Sequence, residues 1–77
     1  MDLMHVKAEF AAGRLAEAVA EPSKQGDGWR LLLHTKSGMT IVLTDSADRE
    51  RLYHSLDHAT EVGHDIGFDM VRVEEHF

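Results

Sequence analysis

The stretch "RLYHSLDHATEVGHDIGF", from Arg51 to Phe68, decides how the second half of the chain folds. A helix that begins at Leu56 would have Ser55 as its N-cap, and Asp57 would lie in the first turn, where the helix dipole favours an anion. Gly67 would end this helix in a left-handed conformation, which glycine adopts without strain. The apolar side chains of the helix would then share one continuous face: Leu56, Ala59, Val62, Gly63 and Ile66.

The same stretch also allows a helix that begins near Ala47. That helix would place Leu52 and Leu56 on its apolar face and would bring His54 and His58 together on the other face. We favour the later start, which leaves residues 51–55 as a short strand. Glycine costs a helix interior roughly 1 kcal/mol relative to alanine, so we expect close packing against a sheet to explain the glycine at position 63.

Upstream of this stretch, the sequence predicts a β-hairpin. "WRLLLHT" (Trp29 to Thr35) and "MTIVLT" (Met39 to Thr44) are rich in bulky and β-branched residues, and the turn signal "KSG" (Lys36 to Gly38) joins them. In so small a domain we expect Trp29, the only tryptophan, to anchor the core rather than to form an interface.

The remaining elements follow from spacing and from Gly and Pro. Leu3, Val6 and Phe10 recur at helical spacing and predict a helix from about Asp2, its N-cap, to Ala12. "LAEAVAEP" (15–22) reads as a short strand. Because proline cannot occupy a central strand position, we expect this strand at an edge of the sheet. "FDMVRVE" (68–74) is the last strand, with its two valines on one side.

These elements predict an α+β fold within a single domain that spans residues 1–77. We expect a small antiparallel sheet of three to five strands, with two helices packed on one face, in the order α-β-β-β-(β)-α-β. The optional strand is the short one at residues 51–55.

Composition excludes several classes of function. The chain has 77 residues and no cysteine, so it has no disulfide, no thiolate metal site and no cysteine nucleophile. Its longest apolar runs, such as "LLL", have only three residues, and its start lacks the pattern of a secretory signal, so we expect a cytoplasmic protein without a membrane span. Eight scattered basic residues face fourteen acidic ones, for a net charge of −6, which disfavours direct nucleic-acid binding.

The candidate site is an acidic surface for a protein partner. Its residues are Asp45, Asp48, Glu50, Asp57, His58, Glu61 and Asp65. His58, Glu61 and Asp65 share a helix face and could hold zinc or nickel, but ligands from one exposed face rarely complete a coordination sphere, so we expect a solvated face without metal or cofactor. The sequence has no nucleophile motif and no Gly-rich phosphate loop, and we expect no enzyme activity.

Four segments together resemble a group of short proteins from proteobacterial plasmids and integrated elements, some of them partition-associated or plasmid-maintenance proteins. The segments are "GRLAEAVAEP", "GWRLLLHTKSG", "RLYHSLDHA" and "IGFDMVRV", and the resemblance spans Val6 to Val73. The shared pattern includes a Gly-Trp that opens a strand and an aromatic-x-Ser-Leu-Asp-x-Ala segment. The resemblance implies a helper role in maintaining mobile DNA, and it supplies no catalytic residue.

We therefore expect a small, acidic, non-catalytic module that occupies a surface of a larger protein or ribonucleoprotein complex, as a plasmid-maintenance accessory would. The alternative is an anti-CRISPR inhibitor from a phage or plasmid, which this chain resembles in type only: it would bind a CRISPR-Cas effector and block its nucleic-acid or nuclease interaction. A second alternative is a histidine-based metal-binding protein. An uncovered sheet face or edge could also pair two copies as a homodimer, and we expect Phe77 to be free for a partner.

Overall fold

The computed structural model describes residues 1–24 and 28–75, so the expectation for Phe77 lies outside the described residues. Two helices and four strands follow one another in the order α1 (Leu3–Ala11), β1 (Leu15–Pro22), β2 (Trp29–Thr35), β3 (Thr40–Val42), α2 (Leu56–Ile66) and β4 (Val71–Val73). The strands form one sheet in the order β3-β2-β1-β4. The predicted α+β class, the order of elements and the helices against the sheet are confirmed.

The sheet is mixed, whereas the sequence predicted an antiparallel one. β1 pairs antiparallel with β2, and β2 pairs antiparallel with β3, but β4 pairs parallel with β1. The reason is the helix between β3 and β4. A helical crossover returns the chain to the end of the sheet where the previous strand began, so β4 runs in the direction of β3, which is also the direction of β1.

The prediction that β1 is an edge strand was wrong, because β1 lies between β2 and β4. Its proline is tolerated for a local reason. β4 pairs only with residues Ala18 to Ala20 of β1, and its last bond runs from the Glu74 N–H to the Ala20 carbonyl. Backbone groups alternate in direction along a strand, so the nitrogen of Pro22 points towards the β4 side, beyond the last paired residue, where no donor is needed.

Both helices begin and end as the sequence predicted. The Asp2 side chain caps α1 by accepting a bond from the His5 N–H, and Gly13 follows the helix with a φ of 77°. In α2 the Ser55 hydroxyl accepts a bond from the His58 N–H at 3.1 Å. The helix therefore begins at Leu56, and the alternative start near residue 47 was wrong.

The short strand expected at residues 51–55 is reduced to one bridge. Tyr53 and Trp29 exchange two backbone hydrogen bonds, each 2.8 Å long. The Tyr53 side chain is buried in the core, and Trp29 packs against that core as a partly buried side chain.

Small residues let α2 lie close to the sheet. Ala59 on the helix, and Ala18 and Ala20 on β1, are fully buried. A Cβ atom added at Gly63 would overlap a methyl group of Val71 on β4, which confirms the close packing expected at this glycine.

The end of α2 packs against α1. The rings of Phe10 and Phe68 meet edge to face with centroids 4.8 Å apart. Gly67, at the end of α2, has a φ of 134°, and a side chain there would also overlap the Phe10 ring. Glycine at this position is thus required both by the backbone and by the contact between the helices.

Candidate functional site

The seven predicted partner residues fall into two groups. Asp57, His58, Glu61 and Asp65 lie on the solvent side of α2, and all four are exposed. Asp45, Asp48 and Glu50 belong to the turn before α2 and have different surroundings from one another.

The first group forms a row of carboxylates along α2. Asp57, Glu61 and Asp65 recur every four residues, so they are stacked about 6 Å apart along the helix axis. None of the three forms an ion pair with a cation in the part of the chain that the structure describes. Asp57 also lies in the first turn, where the helix dipole favours its charge. We call these three residues with His58 the α2 acidic row.

His58 has a defined position beside this row. Its ring meets the ring of Tyr53 edge to face, with centroids 4.8 Å apart. Burial raises the pKa of the Tyr53 hydroxyl, so the phenol stays neutral. Its buried ring gives the histidine a fixed surface to pack against. The imidazole is thus an oriented polar edge next to the carboxylates.

Asp45 organises the turn of the second group. Its Oδ1 accepts bonds from the backbone N–H groups of Ala47 at 2.9 Å and Arg49 at 3.0 Å. The bond from the Arg49 N–H is the main cause that lowers the pKa of the Asp45 carboxyl. Asp48 is exposed and has a φ of 63°, the left-handed conformation that aspartate tolerates in turns. Only Asp48 in this turn offers a carboxylate without an internal bond among the described residues.

Glu50 is held inside the protein rather than presented to solvent. Its carboxylate lies 3.8 Å from an Arg30 guanidinium nitrogen and accepts a bond from the Ser23 hydroxyl at 3.3 Å. Arg30 also pairs with Glu21, whose side chain is 7% exposed. Glu50 therefore belongs to an internal ion-pair cluster, and we leave it out of the candidate surface.

The sequence reasoning missed a set of charged pairs on the sheet face opposite the helices. There Arg72 of β4 bonds to Glu17 of β1, and Arg30 of β2 bonds to Glu21 of β1. Between these pairs Val19 is fully buried. The signal was present in β1, where Glu17 and Glu21 are separated by an even number of positions, which places them on one face.

Two grooves on the described part of the surface are lined by none of the seven predicted residues. The first, of about 420 Å³, lies where Phe68, Met70 and Arg72 meet the start of β1. The second, of about 550 Å³, lies between the end of α1 and the hairpin turn, with Met39 and Ile41 among its lining residues.

Two further features are absent from residues 1–24 and 28–75. Those residues contain no group of three or more His, Cys, Asp or Glu side chains that could hold a metal ion. Within the same residues, no helix has the length and apolar character that crossing a membrane requires.

Comparisons with protein-family models, with curated proteins and with solved structures found no match to this chain. The resemblance to plasmid-borne proteins therefore rests on the sequence pattern alone.

Proposed function

We propose that the protein is a small, non-catalytic binding module that uses the α2 acidic row to occupy a basic surface of a larger complex. The observation that supports the proposal most directly is the row itself: three exposed carboxylates, one helical turn apart, that form no ion pair within the described residues. Several acidic side chains elsewhere, such as Glu9 and Asp45, are paired with a neighbouring arginine.

The rigidity of α2 favours a binding role for its outer face. The Ser55 cap and the Gly67 stop fix both ends of the helix, and Gly63 holds its centre against Val71. A rigid row loses little conformational entropy when a partner docks on it. Complementary charge would speed the encounter and orient the two surfaces.

The sequence pattern favours a partner that belongs to plasmid maintenance, such as a partition ATPase or a replication protein. The second candidate is a CRISPR-Cas effector, in which case the protein acts as an inhibitor. The regular spacing of the α2 acidic row favours this second candidate, because a basic channel that accepts nucleic-acid phosphates would also accept such a row.

The first experiment captures partners from a proteobacterial lysate that contains both a plasmid partition system and a CRISPR-Cas system. Recovery of a partition or replication protein supports the first candidate, and recovery of a CRISPR effector supports the second. The captured partner is then purified and its binding is measured at low and at physiological salt. We expect binding to weaken with salt, because at 0.15 M charges are screened beyond about 8 Å.

The second experiment locates the surface. Glu61→Lys/Asp65→Lys reverses two charges of the α2 acidic row, and Glu9→Lys/Asp69→Lys makes the same change in net charge at exposed or half-exposed positions on other elements. We expect the first pair to weaken binding at least about tenfold, equivalent to 1.4 kcal/mol, and the second pair to leave it nearly unchanged. Equal losses in both variants would mean that only net charge matters and would overturn the assignment to α2.

A further inference from the structure

The two edges of the sheet differ in how they are covered. Near β3, the Thr44 N–H donates to the Met1 carbonyl at 2.9 Å, and the Arg51 N–H donates to the Leu43 carbonyl at 3.0 Å. Other parts of the chain therefore border the end of that strand. At the other edge, β4 pairs with β1 on one side, and no strand among residues 1–24 and 28–75 pairs with its other side.

The direction of the backbone groups on β4 follows from its pairing with β1. The Glu74 N–H donates to the Ala20 carbonyl at 2.9 Å. Because these groups alternate along a strand, the backbone of Arg72 also faces β1. The N–H and C=O groups of Val71, Val73 and Glu75 consequently face outward. The Val73 side chain on this edge is 42% exposed.

We propose that two copies of the chain pair through β4, antiparallel, about a two-fold axis at Val73. In this register Val73 faces the partner's Val73, and Val71 faces the partner's Glu75, so the outward N–H and C=O groups of each strand find partners on the other. Antiparallel pairing forms two hydrogen bonds at every second residue pair, which gives about six bonds across the interface.

The charges of Arg72 and Glu74 favour this register over the registers shifted by two residues. Arg72 stands directly opposite the partner's Glu74, in a non-hydrogen-bonded pair, where facing side chains are closest. Both side chains are about half exposed within one copy, at 49% and 41%. A shift by two residues in one direction would bring Arg72 opposite itself, and a shift in the other direction would bring Glu74 opposite itself. Like charges directly opposite one another destabilise a strand pair.

The resulting assembly is one continuous sheet of two four-stranded halves, with all helices on the same face. Because β4 has only three residues, the interface belongs to the small and weak class, and we expect a dissociation constant of roughly 10 µM to 1 mM. The pairing uses no residue of the α2 acidic row. It is therefore independent of the proposed function and would leave that row accessible.

The test exchanges charges across the interface. Arg72→Glu places an acid at both facing positions, 72 and 74, and Glu74→Arg places an arginine at both, so each variant would bring like charges together if it paired with itself in the proposed register. Mixed together, the two variants restore opposite charges at both positions. In sedimentation velocity at 0.15 M salt, we expect each variant to associate at least about tenfold more weakly than the native chain, and the mixture to recover dimer.

Arg72 also bonds to Glu17 within its own copy, so the charge exchange alters a contact inside the monomer as well. Glu75→Pro, with Glu75→Ala as its control, tests the same register and leaves that ion pair unchanged. Proline removes an outward N–H that lies beyond β4, and we expect it to weaken the dimer while the alanine variant retains it. Circular dichroism checks that every variant remains folded. A native chain that stays monomeric at 1 mM, or a dimer that none of these changes affects, would overturn the proposal.

Discussion

The two faces of the sheet are shielded from water by different means. On the helix-covered face, apolar side chains of the strands pack against α1 and α2, and small residues such as Ala18 and Gly63 allow close approach. On the opposite face, called the open face here, Val19 is equally buried, although neither α1 nor α2 covers it. Its neighbours in the sheet are Leu32 and Arg72. A long apolar stem such as that of Arg72 can cover apolar surface while its charged end is paired.

The difference shows that charged pairs can help to shield an apolar residue on a sheet face that neither described helix covers. The covered face depends on shape, because helix and sheet touch backbone to side chain. The open face depends on ion pairing, because carboxylates bind the guanidinium groups of Arg30 and Arg72 and so fix where these side chains lie. Substitutions that change side-chain volume should therefore destabilise the covered face, and substitutions that remove a charge should destabilise the open face.

The largest effect is expected on the covered face, from Gly63→Leu. Leucine is a good helix former, so any loss reports packing against Val71 rather than helix propensity. Overfilling a close contact of this kind should lower the free energy of unfolding by about 3 kcal/mol, measured by urea denaturation. Glu61→Leu, on the solvent side of the same helix, should change it by less than about 0.5 kcal/mol. Similar losses in both variants would mean that the helix does not pack as described.

A smaller effect is expected on the open face, from Arg30→Met. Methionine keeps an apolar stem but removes the charge between Glu21 and Glu50, whose side chains are only 7% and 16% exposed. Both mostly buried carboxylates would lose their pairing with this guanidinium, and the free energy of unfolding should fall by about 2 kcal/mol. Arg14→Met removes an exposed pair with Glu9 and should cost much less. If the two arginine variants lose equally little, pairing does not protect the open face.

The smallest effect is expected from the outermost pair, Glu17 with Arg72, and it should depend on pH. The hydrogen bond from Arg72 is the main cause that holds the pKa of the Glu17 carboxyl below its ordinary value of 4.5. As pH falls, the unfolded chain therefore binds this proton before the folded protein does. The stability that the pair supplies is present above the ordinary pKa and is lost as pH falls through the folded one.

Comparison with Glu17→Gln isolates that contribution. Between about pH 6 and pH 3 the urea midpoint of the native chain should fall more than that of the variant, which has no proton to bind at this position. Parallel curves for the two chains would show that the Glu17 pair contributes nothing to the pH dependence.

Much of the fold could be predicted because its signals are local. Ser55 and Gly67 define the ends of α2 through contacts within one helical turn, and the hairpin depends on a turn of three residues. The pairing of β1 with β4 could not be predicted in the same way. Ala18 and Val71 are neighbours in the sheet but are 53 positions apart in the chain, and only the packing of α2 between them brings them together.

In the candidate site, too, the residues with a local signal could be predicted and the others could not. The outward positions of Asp57, Glu61 and Asp65 follow from helical periodicity, and all three are exposed as predicted. Glu50 lies in a turn, where no periodicity indicates direction, and it points inward to Arg30. The open face was missed because its charges are isolated in the sequence and become pairs only after the strands align.

The sequence by itself determined the helix ends, the hairpin and the acidic outer face of α2, since each depends on residues within a few positions of one another. Only the tertiary structure decided that β1 is central, that β4 runs parallel to it, and that Glu21 and Glu50 surround one arginine. These features require distant segments to meet, and the energy that selects them comes from burying Val19, Ala20 and Gly63 in contacts that no local pattern records.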